Sequence, residues 1–377
     1  MNSRERLLTV LAGRIPDCVP VAPDFSNMIP ARRTGKPFWD IYLYNDPPLG
    51  DAYVACVKHF SVDSLLNAYY VPVFPPDGSD EPQYEQFIVF RNEHRIVTQT
   101  SWVEDGKREW RPTVDVYYVA DPPTHNVKPE KIGLPSIPKR YEPLEGVKPA
   151  TTGAAGLRHL KQLMGDHGLV GVSLASSCAL NSPEDIYGYY DNPDKHAQWA
   201  AERVVAVEER FERILALEER PDFLSVGGSG TLIFQTVEIF RQLAFPAVKR
   251  GIELAAGAGF PTHVHSCGPE RELIKIFAGE TALTVIDPLE QPPMGDCNLG
   301  EMKRLYGAGL VLKGNLHTTR DMLRGSPEDV AAASRRAIDQ AAEGGRFILS
   351  TGDQCGRDTP DENLHAMVET ARTYGRY

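Results

Sequence analysis

Across its 377 residues the chain has no apolar stretch approaching the ~18 residues of a membrane span, so no membrane association is expected. It has no run of Lys and Arg, and its net charge of -11 argues against a partner built of phosphates; no nucleic acid is expected. Cysteine is sparse. Cys18, Cys56, Cys178, Cys267, Cys297 and Cys355 are scattered with no Cys-x-x-Cys pair, which excludes a disulfide framework, a zinc knuckle and a dithiol redox couple. A Gly-x-Gly-x-x-Gly phosphate loop is missing as well. The N-terminus, Met1 to Arg6, leads into an amphipathic run rather than a signal peptide, so the expected location is the cytoplasm. What remains is an ordinary globular composition, 42% hydrophobic and 24% charged.

Against that background one stretch stands out, Pro261-Thr262-His263-Val264-His265-Ser266-Cys267-Gly268. On a strand, His263, His265 and Cys267 point the same way, neighbours roughly 7 Å apart and the outer two roughly 13 Å apart. Only an adjacent pair can converge on one metal ion, either His263 with His265 or His265 with Cys267. A third ligand must come from elsewhere in the chain.

Taken in order, the chain opens with Ser3 as an N-cap and a helix to Ala12, followed by a strand from Val19 to Phe25 and another from Val62 to Tyr70. From 71 to 149 the pattern changes to short strands (Phe87–Phe90, Arg95–Thr98, Val114–Tyr118) and many prolines, read as a β-rich insertion or lid. Its aromatic residues, with those just before it (Tyr69, Tyr70, Phe74, Tyr84, Phe87, Phe90, Trp102, Trp110, Tyr117, Tyr118), either pack the sheet or line a pocket. The second half alternates short apolar runs with helices, including roughly Lys195 to Glu219 and Thr236 to Ala256. Six such repeats after the initial strands favour an α/β fold, a (β/α)8 TIM-type barrel forming a single domain over 1–377.

A barrel of this kind builds its site at the C-terminal ends of its strands. Polar residues fall there on four successive strands: His265 and Cys267, then Asp287 and Glu290, then Asn315 and His317, then Asp353 and Cys355. Glu290, with Asp296, is a candidate fourth ligand or general acid. Asn315 and His317 either orient substrate or cap loops. His263 is read as a structural histidine or an outer partner of the ligands, and Cys18, Cys56, Cys178 and Cys297 as packed thiols.

These residues resemble the uroporphyrinogen decarboxylase superfamily, and more closely its zinc-dependent, cobamide-linked methyltransferase branch. The resemblance runs from Ser3-Arg4-Glu5-Arg6-Leu7-Leu8 and Pro16-Asp17-Cys18-Val19-Pro20 through Phe240-Arg241, Pro246 and Lys249 to His265-Ser266-Cys267-Gly268 and Gly314-Asn315. It closes with Cys355, Thr359-Pro360, Glu362-Asn363 and Ala371-Arg372-Thr373-Tyr374-Gly375. Carried over residue by residue, it implies zinc ligands at His265, Cys267 and Cys355. The porphyrin-holding Arg-Gln-Ala-Gly-Arg turn of true decarboxylases is replaced by Ile29-Pro30-Ala31-Arg32-Arg33-Thr34-Gly35, which argues against porphyrin chemistry.

Two thiolates and an imidazole suit zinc, and three ligands leave the fourth position open for chemistry. The resemblance thus implies methyl transfer with a corrinoid carried on a partner protein, since the chain shows no cobalamin-binding helical module of its own. The aromatic insertion favours an aryl methyl ether as donor, as in an O-demethylase component. The alternatives are transfer from a methylated corrinoid protein to a thiol such as coenzyme M, and a decarboxylase-like lyase without metal. The expected partners are therefore a corrinoid protein and a small methylated substrate, with a homodimer as the family-level expectation.

Overall fold

The computed structural model describes residues 1–68, 84–180 and 182–377; Tyr69, Tyr70 and Phe74 of the aromatic set lie outside them. An antiparallel sheet comes first, made of β1 (Glu85–Arg91), β2 (Arg95–Glu104), β3 (Lys107–Tyr118), β4 (Thr124–Val127) and β5 (Glu142–Pro143), in the order β4-β3-β2-β1-β5. Its turns follow from their residues. The Asn92 side chain accepts from the N–H groups of His94 and Arg95 to reverse the chain between β1 and β2. Asp105 and Gly106 both take positive φ (49° and 74°) in the two-residue turn that pairs Glu104 with Lys107.

The aromatic residues of this sheet largely pack on one another. Phe87, Trp110 and Tyr141 meet edge to face with centroids 4.9 to 5.6 Å apart, and Tyr84 meets Trp102 in the same way. Ile88, Ile96 and Tyr117 bury against Leu43, which together with the Phe38 N–H to Val119 carbonyl bond (2.9 Å) fastens the sheet to the preceding segment.

The second sheet is parallel and consists of β6 (Gly171–Ser173), β7 (Phe223–Ser225), β8 (Thr262–His265), β9 (Val285–Asp287), β10 (Val311–Leu316) and β11 (Phe347–Thr351), in sequence order. Helices link the strands, as parallel pairing requires. Two extended segments continue the hydrogen bonding at its ends. Ala22 N–H bonds to the Leu349 carbonyl and Leu349 N–H to that of Pro20, beside β11. Asp63 N–H then bonds to Val21, and Ser64 Oγ donates to the Leu169 carbonyl just before β6.

Alternation along these strands sorts the residues into two sets. Val172, Leu224, Val264, Ile286, Leu312 and Leu349 pack in the main core with the helices. The other parity gives an apolar layer of Ala22, Leu66, Phe223, Val285, Val311 and Ile348, with Leu7, Val10 and Leu11 of the opening helix Ser3–Leu11 packed against it. That helix is held by a capping box between Asn2 and Glu5 and by a forked ion pair from Arg4 to Asp222 at 2.9 and 2.7 Å.

One pleat further along, the same face carries His263, Asp287, Lys313 and Ser350, all buried. Full burial of a large apolar side chain contributes about 1.5–3 kcal/mol, so a second apolar layer would have been the stabilising choice. This buried polar layer, with three ionisable members, makes the region a candidate site.

Elsewhere the helices differ in detail from the periodicity. The expected helix Lys195 to Glu219 runs His196–Leu215, and an additional helix, Pro183–Asp191, starts from a Ser182 capping box. The stretch expected as one helix from Thr236 is interrupted by a π turn over Phe240–Ala244 before resuming at Phe245–Gly257. Pro246, which has no N–H to donate, stands at the start of the resumed helix and explains the break. No described helix is long and apolar enough to cross a membrane.

Candidate metal centre

Strand β8 delivers His265 at its C-terminal end, and Gly268 at φ 89° turns the chain immediately after Cys267. His265 pairs in register with Asp287 on β9, and its Nδ1 lies 3.2 Å from Asp287 Oδ1. That bond turns Nε2 toward Asp353, whose Oδ1 is 3.6 Å away. His265, Cys267 and Asp353 each offer one ligand atom, all within 4.8 Å of one another, the one such three-residue group among the described residues. The adjacent pair that converges is therefore His265 with Cys267. His263 lies below, its Nε2 2.9 Å from the same Asp287 oxygen.

The third member of this group is Asp353, while the resemblance implied Cys355. Cys355 is fully buried in the main apolar core and is not in the group. Asp353 takes a left-handed φ of 101°, rare for a residue with a side chain, and this turn presents its carboxylate to the cluster while the chain carries Cys355 into the core. Burial pushes the Cys355 thiol up to about 12, as for a packed thiol.

Glu290 is buried at the same turn, where its Oε2 accepts from the Gly268 N–H, and burial raises its pKa. Asn315 Nδ2 donates to the Leu289 carbonyl at 2.8 Å, and Gln291 Nε2 donates to the Asn315 carbonyl at 2.8 Å, so Asn315 fixes the loop that carries Glu290. His317 is a cap: its Nδ1 accepts from the N–H groups of Thr319 and Arg320, each at 3.2 Å.

Electrostatics centre on Asp287. Burial alone would raise its pKa, but Lys313, His263 and His265 hold it well below the carboxylate range. Burial opposes charging His265, yet the Asp287 carboxylate prevails and carries its pKa well above the usual imidazole value. For His263 burial prevails and the pKa falls. Asp353 is raised by burial, and Glu270, whose Oε2 accepts from Leu289 N–H, is raised well above its usual range by burial and by Asp287.

Sequence reasoning missed Lys313 and Glu270 and gave Asp353 no role. Lys313 looked like one polar residue in an apolar run. Asp353 directly follows Gly352 at the end of β11, nearer the strand than Cys355, and that position was the available signal.

The group fits a metal ion. His265 Nε2 is buried and has no hydrogen-bond partner among the described residues, an orphaned atom that a metal ion in place of a proton would satisfy. Imidazole, thiolate and carboxylate are all zinc donors, and around a tetrahedral zinc ion they would stand roughly 3.5 Å apart, within small side-chain movements of the observed spacing.

The architecture and this group describe an α/β protein with three residues that could hold a metal ion at the C-terminal ends of parallel strands. Residues 231–374, which contain all three donors, match the family described as uroporphyrinogen decarboxylase (URO-D). A methylcobamide:CoM methyltransferase MtbA of Methanosarcina mazei is 26% identical over 45% of this chain and 44% of its own length. Its counterpart from Methanosarcina acetivorans is 25% identical over the same shares. The chain therefore matches less than half the length of these curated relatives. Over 99% of both chains the fold is shared with a solved methyltransferase from Methanosarcina mazei, at a TM-score of 0.60 and 16% identity. The likeness to the uroporphyrinogen decarboxylase family thus covers residues 231–374, and the likeness to the named methyltransferases is one of fold and of low sequence identity.

Proposed function

We propose that the chain is a zinc-dependent methyltransferase that moves a methyl group between the cobalt of a corrinoid, carried on a separate protein, and a small-molecule thiol. The observation that carries this reading is the His265, Cys267, Asp353 group in a chain whose relatives are named methylcobamide:CoM methyltransferases. In the same reading the six parallel strands and the segments 19–24 and 62–67 form a (β/α)8 barrel, and the antiparallel sheet is an insertion within 71–149.

His265, Cys267 and Asp353 would hold the metal. A zinc ion there supplies a Lewis acid that lowers the proton affinity of a thiol without destroying its nucleophilicity. Asp287 orients the His265 ring, so that Nε2 rather than Nδ1 faces the donors. Glu290, whose pKa is raised by burial, stands at the Cys267–Gly268 turn and takes the proton of the incoming thiol. Asn315 positions Glu290 through Leu289.

The aryl ether expectation rested on aromatic residues that the structure packs mostly against each other, which moves the first reading to the thiol. One observation still favours an oxygen-bound substrate. A carboxylate at Asp353 in place of a thiolate leaves a harder, more acidic metal, suited to receiving the oxygen of a methyl ether as its methyl departs.

The test is to incubate the zinc-loaded protein with methylcobalamin and 2-mercaptoethanesulfonate, and separately with cob(I)alamin and methoxyarenes. The proposal expects demethylation of methylcobalamin in the first mixture; turnover only in the second selects the ether reading. Zinc-loaded protein that is inert in both overturns methyl transfer.

A further inference from the structure

The charged layer contains one cation that the metal reading does not use. Lys313 is 1% exposed on β10, in a run of apolar neighbours, and lysine is almost never fully buried without a partner. The register that pairs Val311 with Val285 and Leu312 with Ile286 brings Lys313 level with Asp287. Its Nζ donates to Asp287 Oδ2. The other oxygen, Oδ1, receives both His263 Nε2 at 2.9 Å and His265 Nδ1 at 3.2 Å.

The two oxygens thus have divided roles. A carboxylate held only through Oδ1 can turn about its terminal torsion, which is broad for Asp, and lose one of its two histidines. With Oδ2 tied to an ammonium on the neighbouring strand, the carboxylate plane is fixed and Oδ1 is presented to both rings. His265 then has one ring orientation in which Nδ1 carries the hydrogen and Nε2 faces Cys267 and Asp353.

We propose that Lys313 is a positioning residue for the metal centre, acting through Asp287 to set the ring orientation and tautomer of His265. The inference rests on the metal reading of His265, Cys267 and Asp353. A buried ion pair offered for stability alone would be a poor choice, because replacing it with packed apolar residues is often neutral or stabilising. Loss of an outer partner of a metal-bound histidine typically weakens metal binding 10- to 100-fold.

The experiment compares wild type, Lys313→Met, Asp287→Asn and the double variant by competition for Zn²⁺ against a chromophoric chelator and by the visible spectrum of the Co²⁺-loaded protein. The expected result is zinc binding weaker by about 10- to 100-fold in Lys313→Met, with altered Co²⁺ bands, in protein that remains folded by circular dichroism. The double variant should bind no more weakly than Asp287→Asn, because both changes remove one device. Unchanged affinity and spectrum in Lys313→Met, or losses that add in the double variant, overturn the inference.

Should the single variants fail to fold, ¹⁵N-edited NMR of metal-free wild type, recorded at a pH high enough that the His265 ring is neutral, decides it. A proton on His265 Nδ1 upholds the inference and one on Nε2 overturns it. Wild type that holds no zinc counts against the metal centre itself, and the tautomer still decides the role of the Lys313–Asp287 pair.

Discussion

Asp353 and Cys355 are two residues apart at the end of β11 and go separate ways. The Asp353 carboxylate joins His265 and Cys267, while the Cys355 thiol is fully buried beside Thr351 and Thr359. On a regular strand they would share a face. Asp353 takes a positive φ of 101° at this turn, and in the proposed centre the donor there is its carboxylate oxygen.

This geometry carries a cost that a substitution can expose. A side chain held in the left-handed region costs of order 1–3 kcal/mol, which glycine avoids. Asp353→Gly should keep or raise thermal stability in the metal-free protein while weakening zinc binding. Calorimetric melting with and without a chelator checks it, and a variant that loses stability without metal would contradict the strain argument.

Glu290 tests how firmly the Cys267 turn is held. Glu290→Ala removes the acceptor of the Gly268 N–H and leaves that buried donor unsatisfied. The expected loss is about 1–3 kcal/mol of stability, with weaker zinc binding. Glu290→Gln, which can still accept from Gly268, should retain zinc and lose methyl transfer. Chelator competition and the methylcobalamin assay separate the two.

His317 should behave as a cap. Replacing it with Ala should lower stability by about 0.5–2 kcal/mol and leave zinc content unchanged, as measured by denaturant unfolding and metal analysis. A loss of zinc in a folded variant would return His317 to the site.

The fork from Arg4 to Asp222 predicts a pH dependence. Burial would raise the Asp222 pKa, but the Arg4 hydrogen bonds, the Val170 N–H and Lys161 lower it overall. A carboxyl with a depressed folded pKa stabilises above its unfolded value, about 3.9, and loses that contribution as pH falls through the folded one. The stability gap between wild type and Asp222→Asn should therefore be full at neutral pH and shrink below about pH 4. A gap that is constant down to acid unfolding would contradict this.

Much of the arrangement was legible in the sequence because it rests on period. The alternation His263, His265, Cys267 predicted one face, and the strand and helix beat predicted parallel strands with polar residues at their ends. What escaped depends on backbone detail or on contacts across strands. No pattern marks the parity at Asp353, and Cys355 was implied by the family resemblance alone. Lys313 is informative only once Asp287 is known to lie beside it, and the aromatic residues of the antiparallel sheet could be assigned to packing only when their mutual contacts were seen.

The most direct test of the metal centre is the zinc content of four purified proteins: wild type, Cys267→Ala, Asp353→Asn and Cys355→Ala. The account predicts about one zinc per chain in wild type, loss of it in the Cys267 and Asp353 variants, and full retention in Cys355→Ala. Zinc retained without Asp353 but lost without Cys355, in folded proteins, would contradict it.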